Sequence, residues 1–142
     1  MRFLLSVLVL VFATLGLSAP AQELSALARL VPARSAVCGD EGGFTVTLGL
    51  SQPVPWRVRL LDNPPRVVMD FREVEWTGLD AMPRSAPQVK DLRAGVFRPG
   101  WSRLVLELDG PFAVQTAAMT TDPATRVDLR LKPTTQADFA KT

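Results

Sequence analysis

The 142-residue chain contains no histidine and a single cysteine, Cys38. The first absence excludes Ser-His-Asp and Cys-His nucleophile arrangements, in which an imidazole carries the proton. It also excludes a His-ligated zinc hydrolase centre, since with one thiol only carboxylates remain as ligands. A carboxylate pair of the glycosidase kind stays formally open, but no local spacing of acids suggests one. No cofactor or metal is expected. One cysteine cannot form an internal bridge, so the fold must stand on its apolar core. Cys38 is expected to be a small buried apolar side chain, with pairing between molecules as the alternative.

An excess of charge is missing as well. Lys and Arg number 16 against 14 Asp and Glu, a formal net charge of +2. That balance argues against a nucleic-acid partner, which would want a clustered basic face. Recognition should be local. There is one long apolar run, Phe3 to Leu17, preceded by Met1-Arg2 and followed by the small residues Ala19-Pro20-Ala21. This is the three-part layout of a secretory signal over residues 1–21. Fifteen residues fall short of the roughly 20 needed to span a bilayer, so no stable membrane span is expected after cleavage. No lipid-attachment cysteine follows, and the expected location is outside the cytoplasm. Removing residues 1–21 leaves 121 residues with a net charge near +1, enough for one domain and hardly two.

What is present is short strands. Residues 22–36 read equally as helix or strand, but from Phe44 onward "FTVTLGLS", "PWRVRLL", "RVVMDFR", "QVKDLRAGVF", "SRLVLELD", "FAVQTAAM" and "RVDLRLK" are segments rich in Val, Leu, Phe and Thr. Between them lie "GDEGG", "SQPVP", "DNPP", "PGW", "DGP" and "DPAT". Proline fixes φ and removes a ladder donor, so these residues belong between strands or at sheet edges. Seven or eight strands at short spacing predict an all-β sandwich or barrel.

The strands also repeat. Displaced by 58 positions, Val46, Leu48, Leu50 and Pro53 fall on Leu104, Leu106, Leu108 and Pro111. Displaced by 60, Arg66, Val67, Met69 and Phe71 fall on Arg126, Val127, Leu129 and Leu131. Alternation places Val67, Met69 and Phe71 on one face and Asp70 on the other. A three-strand unit cannot bury its apolar face alone. Two copies face to face make one core, which predicts a β-sandwich of two short sheets related by a pseudo-twofold.

The stretches "LLDNPPRVVMDFREVEW" (Leu60 to Trp76) and "VKDLRAGVFRPGWSRLVLELDGPFAV" (Val89 to Val114) resemble the AMIN domain. Its shared elements are an Asn-Pro-Pro-Arg turn into a Val-x-Asp-Phe strand and a later Phe-x-Pro-Gly-x-x-Arg-Leu-Val-Leu stretch. Here these are Asn63–Phe71 and Phe97–Leu106. The resemblance covers about residues 28–132, within a domain set at 22–132 and followed by a linker-like tail, 133–142. It implies a periplasmic, non-catalytic module that binds peptidoglycan and directs an N-acetylmuramoyl-L-alanine amidase to the division site. The implied partners are peptidoglycan, a C-terminal zinc amidase domain and division or envelope proteins. The alternative is a protein-docking sandwich of an envelope assembly such as a type IV pilus secretin. This chain holds no histidine for the amidase's zinc site, so it is read as a front piece of a longer precursor or a stand-alone module.

Glycans and stem peptides are recognised by aromatic faces and a few fixed polar groups. Trp56, Trp76 and Trp101 are the aromatic candidates, and core packing is the ordinary fate of each. "RPGWSR" sets Trp101 in a turn between Arg98 and Arg103, and arginine holds carboxylates bidentately. Arg57, Arg59 and Arg66 form a second basic group. The candidate ligand-binding residues are Arg98, Trp101, Arg103, Arg57 and Arg66. Against this stands a structural role, in which these arginines are cross-strand partners of Asp70, Glu73 or Glu107. Because Pro20 disfavours cleavage after Ala19, exported protein is expected to give an intact mass that starts at Gln22. Retention of Met1 or Arg2 would contradict the signal assignment.

Overall fold

The computed structural model describes residues 27–140; the expected signal segment, 1–21, lies outside these. Among the described residues the elements are β1 (Ala28–Arg29), β2 (Ala36–Asp40), β3 (Gly43–Gly49), β4 (Trp56–Leu61), β5 (Arg66–Arg72), β6 (Val74–Glu75), β7 (Arg84–Ser85), β8 (Val89–Arg98), β9 (Trp101–Leu108), β10 (Phe112–Thr120), β11 (Arg126–Pro133) and α1 (Gln136–Phe139). One sheet runs β10-β11-β3-β2-β7 and the other β4-β5-β9-β8, with β1 and β6 a small parallel pair beside them. The fold is all-β and sandwich-like, with one more sheet than the two expected. Each of the seven segments read as strands is a strand.

Alternation builds the core. Val46 and Leu48 from β3, Met69 and Phe71 from β5, Leu104 and Leu106 from β9 and Leu129 and Leu131 from β11 are fully buried in one cluster. Burying each such side chain contributes about 1.5–3 kcal/mol. Pro83 O accepts from Val37 N, which ties β2 to the chain that leads into β7.

The repeat is visible in the register itself. Val46 pairs with Leu129 and Leu48 with Val127 in one sheet; Leu104 pairs with Met69 and Leu106 with Val67 in the other. Every one of these residues maps onto its counterpart by the 58- and 60-residue offsets. The halves are not separate sheets, however. The first half sends β2 and β3 to one sheet and β4 and β5 to the other, and the second half does the same with β8, β9, β10 and β11. Each sheet is therefore half of each repeat. The turns entering β5 and β11 each hold a cis bond before proline, at Asn63-Pro64 and Asp122-Pro123.

Three details depart from the expectations. Cys38 is exposed, because its neighbour Val37 takes the buried side of β2 and successive side chains point to opposite faces. β2 itself runs into "GDEGG", since Asp40 pairs with Gly43 across a two-residue turn. At that turn Gly43 has φ 137°, and a Cβ there would collide with Leu131 O. The stretch from 133, read as linker-like, is mostly exposed but holds one short helix: Thr135 Oγ1 caps α1 by accepting from Asp138 N at 3.1 Å, and Phe139 is buried.

Because Leu48 and Leu106 are equivalent and fully buried, Leu48→Ala and Leu106→Ala are each expected to cost about 2–5 kcal/mol. Urea unfolding should place both losses in that range, since both side chains are fully buried.

Candidate functional site

The outward side of the four-stranded sheet carries the candidate site. Register sets Arg57 on β4, Asp70 on β5 and Arg103 on β9 in one row across three strands. Asp70 has no exposed side-chain surface. Arg103 donates to it through Nε at 2.7 Å and Nη2 at 3.3 Å, Arg57 through Nε at 3.0 Å, and Arg59 Nη2 lies 3.8 Å away. The arginines themselves stay in contact with water, at 49% exposure for Arg57 and 28% for Arg103.

The next row is aromatic. Trp101 sits opposite Arg72 on one side and Arg98 on the other. Their guanidinium carbons lie 5.7 and 5.6 Å from its ring centre, with that of Arg57 at 5.9 Å. Phe97 receives Arg98 at 5.2 Å and Arg103 at 3.9 Å. Cation–π contacts of this kind contribute about 0.5–1 kcal/mol each at exposed sites. Four guanidinium groups, those of Arg57, Arg72, Arg98 and Arg103, thus surround two rings, with one carboxylate, Asp70, buried beneath them. Among the described residues, Arg72 and Arg98 have no ion pair.

The other sheet shows what the repeat leaves unchanged and what it does not. Its outer positions equivalent to Trp101, Arg103 and Asp70 are Gly43, Thr45 and Arg130. There Arg130 is consumed by Asp40, at 2.9 and 3.0 Å. All the arginine–ring contacts among the described residues lie on the four-stranded sheet. The scaffold is duplicated and the face is not.

The sequence model of the AMIN domain matches residues 36–135, from β2 through the end of β11. The chain belongs to the AMIN domain family. AMIN domains in general are non-catalytic modules for peptidoglycan binding or targeting. No curated protein matches the chain. Among the described residues, no group of three or more Cys, Asp or Glu side chains could hold a metal ion, and no helix is long and apolar enough to cross a membrane.

Of the residues singled out in the sequence, this AMIN domain brings Arg57, Arg98, Trp101 and Arg103 together. It does not bring in Arg66, which lies at the far end of β5 and donates to its own turn, to Pro64 O at 3.0 Å and Asp62 O at 3.2 Å. Trp101 is not in the turn: Pro99-Gly100 make the turn and Trp101 opens β9. Trp56 and Trp76 pack on the core, Trp56 stacked on Phe71 at 6.1 Å and Trp76 edge-on to it at 5.4 Å. Sequence reading passed over Arg72 and Phe97. Arg72 shares the parity of Asp70 along β5 and was legible on that ground. Phe97 was not, because the ladder shifts register between Val96 and Arg98.

Burial pushes the Asp70 carboxyl up, but hydrogen bonds from Arg103 and Arg57, with their charges, outweigh it and hold the group below its ordinary value. A depressed folded pKa gives stability that is present above the unfolded value, about 3.9, and is lost as pH falls through the lower folded value. Asp70→Asn is expected to lower stability by roughly 1–3 kcal/mol at neutral pH. Its unfolding free energy should then fall less steeply than wild type below about pH 4, where the wild-type carboxyl begins to protonate. Urea titrations at both pH values check this.

Proposed function

We propose that this AMIN domain binds peptidoglycan through the Arg57–Trp101–Arg103 face. In this reading it serves as the periplasmic targeting module of an N-acetylmuramoyl-L-alanine amidase that acts at the division site. The observation that carries the reading is the surplus of guanidinium groups over carboxylates around Trp101. Stem peptides bring carboxylates, which arginine holds bidentately, and sugar rings present apolar faces that stack on indole. Arg72 and Arg98 are free for such contacts, while Asp70 holds Arg57 and Arg103 in place. In this reading the domain cuts nothing, and hydrolysis belongs to a zinc domain elsewhere in the parent protein. A signal peptide over residues 1–21 would deliver the chain to the periplasm.

One observation favours a second reading, protein docking. β10 is the edge of its sheet, nine residues long and without a charged side chain. Edges of that kind are templates for a partner strand. Beside it Val114 and, on β4, Val58 and Leu60 line an open cleft between the two sheet edges.

Co-sedimentation with purified, protein-free sacculi separates the two. Wild type is expected to pellet, and Trp101→Ala and Arg98→Ala to weaken binding roughly tenfold each, the scale of one lost charged or stacking contact. Arg66→Ala should pellet like wild type. Failure of the wild type to pellet would reject the face as a wall-binding site and leave the β10 edge as the docking surface.

A further inference from the structure

Among the described residues the two main sheets end in four edge strands, β10 and β7 in one and β4 and β8 in the other. An edge strand leaves a row of backbone N–H and C=O groups open to pairing, and proteins ordinarily blunt it with shortness, charge or proline. Three of these edges are blunted in that way. β7 is two residues long. β4 carries Arg57 and Arg59 and follows Pro53 and Pro55. β8 carries Lys90, Asp91, Arg93 and Arg98. β10 has nine residues with no charge and no proline, and five in succession, Val114 to Ala118, are exposed.

The pattern of β10 restricts what can be added to it. Its ladder with β11 shifts between Val114 and Thr116 and is regular from Thr116 to Thr120. A bulge interrupts straight pairing, so Thr116-Ala117-Ala118-Met119-Thr120 is the part of the edge that an added strand can follow. Ala117 and Met119 stand opposite Leu129 and Val127, which are fully buried, so these two take the inner side. Thr116, Ala118 and Thr120 take the outer side. About Ala118 the stretch reads nearly the same in both directions. Laid antiparallel on itself, it sets Thr116 against Thr120 twice, Ala117 against Met119 twice, and Ala118 against Ala118 on the axis. Threonine pairs hydrogen-bond across strands, the flexible Met119 covers the small Ala117, and no charge meets a like charge.

Resting on the docking reading of the β10 edge, we infer that its partner is a second copy of this chain, joined through β10 about a twofold axis at Ala118. The contact is isologous, the same patch on both copies, and it closes after two. The two five-stranded sheets then run on as one. An unrelated strand would have no use for the near-symmetry of Thr116 to Thr120, whereas a copy uses it at every position. The pairing is made by backbone groups along the edge and draws on none of the arginines around Trp101.

The test uses the exported chain in sedimentation velocity over a range of concentrations. Wild type is expected to pass from monomer to dimer as concentration rises and to stop there. Ala118→Lys and Ala118→Glu should each weaken the dimer about fivefold, the scale of one like-charge cross-strand pair. An equimolar mixture of the two should restore it, because Lys then faces Glu on the axis. Ala118 is exposed, so both variants keep the fold, and recovery in the mixture separates lost pairing from unfolding. In a Cys38→Ser background, Ala118→Cys should cross-link to a dimer on air oxidation. Ser85→Cys, exposed on the opposite edge of the same sheet, should not. Wild type that stays monomeric or grows beyond a dimer would overturn the inference, as would variants that fail to recover on mixing or equal cross-linking through Ser85→Cys. A monomeric wild type overturns it without touching the wall reading, which sacculus pelleting decides.

Discussion

A carboxylate with no exposed surface sits under three guanidinium groups drawn from two neighbouring strands. Burying Asp70 unpaired would cost several kcal/mol, and the sheet meets that cost through three hydrogen bonds from Arg57 and Arg103. Both arginines keep part of their surface in water, so their own desolvation is small. The effect is geometric as much as energetic. Long side chains that would otherwise sample many rotamers are held over the sheet, next to the rings of Trp101 and Phe97. Remove the carboxylate and the same arginines repel one another. The arrangement of the whole face therefore follows from one aspartate on the central strand β5.

The face is possible because the sheet beneath it is rigid. Each half of the chain gives one pair of strands to each sheet, so neither half has a complete sheet of its own. Thr47 and Asp128, 81 residues apart, share a hydrogen bond, and pairings that distant form only when both halves are in place. Such a topology is slow to assemble but leaves no independently melting half. The duplication thus serves the scaffold. Above it the two outer surfaces have diverged, one into ion pairs such as Arg130 with Asp40 and the other into an arginine–indole cluster.

At the end of that cluster the chain changes character. β5 stops at Arg72, Glu73 takes a left-handed turn, and Trp76 folds back to pack against Phe71. The Pro99-Gly100 turn approaches from β8 and β9. Where the two meet, regular alternation is lost and an apolar cleft opens beside a charged face.

Read alone, the sequence established the all-β class, the seven principal strands, the two-fold repeat and the core positions such as Leu48 and Leu106. Those features depend on a period-two pattern and on proline placement, which are local properties written along the chain. It also brought Arg57, Arg98, Trp101 and Arg103 forward as candidates. What it did not decide was which of them meet. Arg57 and Arg66 look alike in sequence, yet strand register puts one against Asp70 and turns the other onto its own loop. Cys38 faces solvent because Val37 claims the buried side of β2. Phe97 joins the face only through a register shift, and Glu73 reaches Gly100 only through a backbone angle that no side-chain pattern encodes. Register between strands tens of residues apart, and the side of the sheet each residue finally occupies, are set when the two sheets close on one core, so they belong to the tertiary structure.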